Sequence, residues 1–174
     1  MAALQSNNQT IPSIRRGAGG FTMVEALIAL SIIVVAFLNI LYLVNFSVGH
    51  LREARDFMVS SYLAQEGIEL VTLQRNENWL NQRAFDAGLS DGTYRLDYSG
   101  VFDTNASLPL KFDGQYGYQY LQGTDTQFVR EIKITKMSAN FLRVDSTVNW
   151  NERGSARTVT VEDNLYDWFS VPSQ

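Results

Sequence analysis

Arg15-Arg16-Gly17-Ala18-Gly19-Gly20-Phe21-Thr22-Met23-Val24-Glu25 leads directly into residues 26–48, twenty-three positions without Asp, Glu, Lys, Arg, Pro or Gly. Only Ser31, Asn39, Asn45 and Ser47 interrupt the Leu, Ile, Val, Ala, Phe and Tyr of that run. As a helix it measures about 35 Å at 1.5 Å per residue, against a bilayer hydrocarbon core of about 30 Å. A helix in the core of a soluble domain keeps one polar face, and this segment has no charged face. The composition therefore predicts a membrane span. Arg15 and Arg16 precede it, so the bias of basic residues toward the cytoplasm puts residues 1–20 on that side. The far flank mixes Arg52 and Arg55 with Glu53 and Asp56 and adds little.

The order of the segments separates this chain from an ordinary secreted one. A secretory signal carries its small-residue cleavage site after the apolar stretch. Here Gly17, Ala18, Gly19 and Gly20 come before it. Cutting after Gly20 discards a basic leader and keeps the apolar helix as a new N-terminus. Glu25 is the unusual residue, because an acid beside an apolar span is costly, about 2.5–3.5 kcal/mol at mid-bilayer and less near the interface. Two readings fit it. In one, Glu25 favours the positive end of the helix dipole, worth about 0.3–1 kcal/mol. In the other, it neutralises the free amine of Phe21 on a neighbouring chain displaced by about one turn.

Gly20-Phe21-Thr22-Met23-Val24-Glu25-Ala26-Leu27-Ile28-Ala29-Leu30 resembles the processing site of type IV prepilins and type II secretion pseudopilins. The likeness is specific over residues 15–49 and looser beyond. It implies a prepilin peptidase that cuts between Gly20 and Phe21 and methylates Phe21, with Glu25 assisting docking into a fibre. It also implies a pilin-like fold, α+β, in which a long N-terminal helix, membrane-spanning in its first half, packs on a C-terminal antiparallel sheet. Further along, Ala64-Gln65-Glu66-Gly67-Ile68-Glu69-Leu70 and Asn164-Leu165-Tyr166-Asp167-Trp168 resemble minor pilins of the pilus-modification type. The implied partners are the peptidase, other pilins or pseudopilins, and an inner-membrane assembly platform with its ATPase. The implied location is the inner membrane, single-pass with the C-terminal domain outside the cytoplasm, and then the pilus or pseudopilus. Two departures stand out: Leu41-Tyr42-Leu43 occupies the neighbourhood where many major pilins carry a proline, and no cysteine is present to close a C-terminal loop.

At 174 residues the chain suits one anchored domain, with about 125 residues left after the leader and the apolar helix. The organisation expected is a leader at 1–20, a fibre-core or transmembrane helix at 21–49, its amphipathic continuation at 50–80, and a sheet domain at 81–174. Side-chain charge is 14 basic against 18 acidic residues, 12 against 18 once Arg15 and Arg16 are lost. That acidity argues against general binding of nucleic-acid phosphates. The absence of cysteine suits an extracytoplasmic chain.

The helical continuation, expected to end near Trp79, carries apolar residues on two sides. Val59, Leu63 and Leu70 form one, and Phe57, Ala64, Ile68 and Val71 the other. Two apolar faces imply either two partners, the chain's own sheet and a neighbouring subunit, or burial of both sides within one domain. Residues 93–98 alternate as a strand, and a loop is expected from about 103 to 114. Phe128, Ile132 and Ile134, then Leu142, Val144, Val148 and Trp150, then Val159 and Val161 give an antiparallel meander with one buried face.

Candidate chemistry is sparse. His50 is the only histidine and sits where the apolar run ends. Asp103, Asn105 and Asp113 offer oxygen ligands for calcium in a loop, at spacings that do not match an EF-hand. Tyr116, Tyr118 and Tyr120 form either an adhesive stripe or one face of a packed strand. No nucleophile and base converge, so no catalytic residue and no cofactor are expected. The reading is a minor pilin; the alternatives are a pseudopilin of a secretion or competence system and an anchored binding domain that never polymerises.

Overall fold

A computed structural model of the chain describes residues 20–169, so the leader expected over 1–20 lies, apart from Gly20, outside the described residues. The architecture is α+β. A helix, α1 (Met23–Leu80), is followed by seven strands: β1 (Gly92–Tyr94), β2 (Lys111–Asp113), β3 (Gly117–Gln119), β4 (Thr124–Asp125), β5 (Val129–Ser138), β6 (Phe141–Glu152) and β7 (Ser155–Tyr166). The main antiparallel sheet has the order β1-β5-β6-β7, and a small one the order β3-β2-β4. The chain divides into two compact units, one ending at Ser47 and the other beginning at Val48.

Among its described residues, the first unit is helix from Met23 onward. Thr22 caps it: its carbonyl accepts from the Ala26 N–H at 3.1 Å and its hydroxyl from the Glu25 N–H at 3.2 Å. This is half of a Thr-x-x-Glu capping box. No residue from 20 to 47 is buried. Three of the four polar interruptions bond within the helix itself. Ser31 donates to the Ile28 carbonyl at 2.8 Å, Asn39 to Val35 at 2.8 Å and Asn45 to Leu41 at 3.0 Å. Such back-bonding consumes the donors locally, which an environment without water demands. The helix runs unbroken through Leu41-Tyr42-Leu43. By length and composition it can cross a membrane.

The second unit packs α1 against the main sheet. The two-sided apolar pattern resolves as burial within the second unit, with Phe57 the exception. Leu63, Ala64, Ile68 and Val71 are all buried, while Phe57 is exposed. At about 100° per residue, Ser60, Gly67 and Asn78 fall close together in the middle of this face, between Leu63 and Ile68. All three are buried. One broad face thus meets one sheet, and its small or polar centre line splits the hydrophobic pattern in two.

The centre line lets the helix approach closely. A Cβ added at Gly67 would overlap the Ser146 hydroxyl and lie 3.2 Å from Ser146 Cβ and 3.3 Å from Arg130 Cδ. Gly67→Ala should gain about 1 kcal/mol of helix propensity but lose about 1–3 kcal/mol to overpacking, leaving the domain less stable. Ser146 Oγ has no hydrogen-bond partner among the described residues. Ser146→Ala should therefore be close to neutral alone and recover most of the Gly67→Ala loss. Urea unfolding of the two single variants and the double checks this, and additive effects would contradict the contact.

Along β5 and β6 the apolar core is interrupted at the same level. One cluster contains Ile68, Val71, Ile132, Ile134, Leu142 and Val144; the other contains Leu63, Ala64, Leu110, Phe128, Val148 and Trp150. Arg130 and Ser146 fall between them. The three-strand meander matches the alternation in the last third of the sequence. Its β6–β7 turn is made by Arg153 and Gly154, with φ of 50° and 83°, and the Asn151 side chain accepts from the Gly154 N–H at 2.9 Å. The strand expected at 93–98 is shorter, ending at Tyr94, and the loop expected from 103 to 114 contains β2.

Candidate functional site

The expected assembly tip is open. Gly20, Phe21 and Glu25 are exposed, and a Cβ at Gly20 would meet nothing within 4 Å. Glu25 lies in the first turn of α1. Among the described residues it has no ion-pair partner, and its backbone rather than its carboxylate is engaged by the Thr22 cap. The carboxylate is presented at a helix N-terminus, beside the point where a shortened chain would begin.

The calcium candidates are occupied by local structure. The Asp103 carboxylate pairs with Arg95 and accepts from the Asn105 N–H at 2.8 Å. Those bonds, led by the Asn105 backbone, hold its acid range down. Asp113 accepts from the Gln115 and Tyr116 N–H groups at 2.8 and 3.2 Å, an Asx turn. Among the described residues no group of three or more His, Cys, Asp or Glu side chains is placed to hold a metal ion. His50 stands 3.5 Å from Glu53. The tyrosines divide: Tyr116 is exposed and stacks on Tyr98, Tyr118 packs against Phe128, and the Tyr120 hydroxyl donates to the Arg130 carbonyl at 3.2 Å. They are therefore not one exposed stripe.

The densest polar grouping is one that the sequence reading passed over. The Arg130 side chain is completely buried. Its guanidinium donates to the Leu63 carbonyl of α1 at 3.0 Å and to the Leu96 carbonyl at 2.6 Å, and pairs with Glu66 at 3.2 Å. Nearby, buried Asp97 accepts from the Ser99 hydroxyl and N–H and, at 3.0 Å, from the Tyr120 N–H. The signal was available: Arg130 shares strand parity with Phe128, Ile132 and Ile134, so the alternation that buries them buries it too. The arginine ties the helix to the loop after β1 and to β5.

Burial raises the acid range of Asp97, but the bonds from Ser99 and Tyr120 and the charge of Arg130 together outweigh it, so its pKa falls below the ordinary value. A carboxylate with a depressed folded pKa contributes stability above the unfolded value of about 3.9 and loses it as pH falls through the folded value. Thermal unfolding should thus show a steep loss below about pH 4 in the native chain. Asp97→Asn should be less stable at neutral pH by about 1–3 kcal/mol, because an amide N–H would face the Tyr120 N–H, and should show a shallower acid dependence. Parallel pH profiles of the two proteins would contradict this role.

Comparison with known protein families, with curated proteins and with solved structures finds no match to this chain.

Proposed function

We propose that the chain is a structural subunit of a type IV pilus, a minor pilin, cut between Gly20 and Phe21, methylated at Phe21 and polymerised through α1. The observation that carries the reading is the state of residues 20–47. None is buried, and yet their polar side chains at Ser31, Asn39 and Asn45 are already bonded within the helix. An apolar surface of that extent needs either lipid or other proteins as solvent. A helix of this kind satisfies both environments, so it can pass from bilayer to fibre without meeting water.

A second feature supports a helical neighbour. In the second unit, Leu51, Tyr62 and Leu73 recur every eleven residues on α1, as do Met58, Glu69 and Leu80. They lie opposite the face that covers the sheet, and Leu51, Met58, Tyr62, Leu73 and Leu80 are exposed. An eleven-residue repeat keeps one stripe in register along a helix, with a slight right-handed drift suited to packing against another helix. This stripe, rather than Phe57, is the face left for a neighbouring subunit.

In this reading Arg15 and Arg16 hold the leader in the cytoplasm, and prepilin peptidase, the assembly platform and its ATPase act on the chain, which is itself no enzyme. Glu25→Ala tests the polymerising step. It should leave membrane insertion intact and lower the amount of the chain in sheared fibres by about tenfold or more, the order lost with one charge pair worth 1.4 kcal/mol or above. Unchanged incorporation would favour an anchored domain that never polymerises.

A further inference from the structure

We infer that the end of the second unit where the chain leaves the apolar segment is a basic collar that docks on the phosphates of anionic phospholipids. The inference rests on residues 26–48 spanning a bilayer. In the sequence this flank reads as mixed charge, and the structure shows which of its arginines are paired. Glu53 is held by Arg157 at 3.0 Å and by His50 at 3.5 Å. Asp56 accepts from the neutral Gln127 amide at 2.8 Å and keeps its charge, and Glu152 stands 3.8 Å from the same Arg157 without a hydrogen bond to its Oε2. Among the described residues, Arg52, Arg55 and Arg153 have neither an ion pair nor a hydrogen bond from their guanidinium groups. Four arginines thus stand against three acids among the described residues at this end, and the three unpaired arginines are Arg52, Arg55 and Arg153.

Arg153 reaches this level by a specific arrangement. β7 runs along α1, tied by Arg157 to Glu53 at one end and by Asp167 to Trp79 at 3.2 Å near the other. The β6–β7 turn is consequently at the Gly49 end of the helix. Gly49 is buried beneath it, and a Cβ there would overlap the Arg153 guanidinium. The turn places Arg153 in the left-handed region, φ 50°, which an L side chain adopts at some cost. A glycine notch and a strained arginine thus bring a cation from more than a hundred residues away to the first residue after Val48. Along the helix, Arg52 and Arg55 follow within about 10 Å of Val48. The polar headgroup layer on each side of a bilayer is about 5–8 Å thick. A cation near an anionic membrane surface strengthens attachment by a factor of roughly five. The collar therefore fixes the height of the domain on the membrane before assembly.

The test uses the full chain in nanodiscs, of phosphatidylcholine alone or with phosphatidylglycerol, and follows hydrogen exchange of residues 49–56 and 151–157. Phosphatidylglycerol should slow exchange there by roughly fivefold or more, and the Arg52→Gln/Arg55→Gln/Arg153→Gln variant should lose the slowing. Equal exchange of the native chain in the two lipids would overturn the collar, as would slowing that survives in the variant. Slowing reproduced by inorganic phosphate in phosphatidylcholine discs would overturn the assignment to lipid. Failure of the chain to enter either disc would instead sink the membrane-spanning reading on which the collar depends.

Discussion

Arg130→Ala should destabilise the second unit by about 3–5 kcal/mol, out of a total of about 5–15 kcal/mol for a domain of this kind. The residue is fully buried, so three separate losses combine. Its bond to the Leu96 carbonyl is short, 2.6 Å, and deletion leaves that acceptor without its donor. The space between the two apolar clusters becomes a cavity whose walls, strands β5 and β6 and the Gly67 region of α1, can collapse only partly. The Glu66 carboxylate also loses its cation, but it is 37% exposed and can turn to water, which favours the lower half of the range. Arg130→Met separates these terms, since it fills much of the volume and makes no bond, and it should cost less than alanine. Arg130→Lys should not restore the native value, because an ammonium is a point charge and cannot span Leu63, Leu96 and Glu66 as a planar fork does. Urea unfolding of the full chain in detergent, followed by tryptophan fluorescence, measures all three. A loss below about 1 kcal/mol for alanine would mean that the buried arginine does not hold helix and sheet together.

Leu38→Arg is the second large effect, and it concerns the other unit. Leu38 lies near the middle of the apolar run and is exposed. In water, an exposed leucine on a helix exchanges for arginine at almost no cost, since the two have similar helix propensity. In a bilayer the same change costs about 2.5–3.5 kcal/mol, or about two orders of magnitude in the insertion equilibrium. The variant should shift from the carbonate-resistant membrane fraction to the soluble or degraded fraction. Retention at the native level would show that this face of α1 does not lie in hydrocarbon.

The apolar helix, the turn-rich break after it and the long meander were legible because each depends on a local, periodic signal. The run at 26–48 is long and apolar enough to cross a membrane, and the alternation at 142–150 places every second side chain inward. The helix face looks split in the sequence for a physical reason. Ser60, Gly67 and Asn78 are buried for their size or their hydrogen bonds, not for their hydrophobicity. Asn78, for example, donates to the Phe85 and Ala87 carbonyls at 3.1 and 2.7 Å. A pattern search keyed to apolar residues sees a gap where the packing is tightest. The short strands β2, β3 and β4 carry too few residues to show a period, and they exist through pairing with segments distant in sequence. The tip at Gly20, Phe21 and Glu25 was legible as a motif; its geometry adds a cap at Thr22 and an exposed carboxylate, and the pairing proposed for Glu25 would involve a second chain.

The central claim is that a basic leader is removed to leave an apolar helix whose new end enters a fibre. Intact-mass and N-terminal peptide spectrometry of the chain recovered from sheared surface fibres tests it most directly. The account predicts a polypeptide that begins at Phe21 and is heavier by one methyl group. A chain that retains residues 1–20, or one found only in the membrane and never in the fibre fraction, would contradict it.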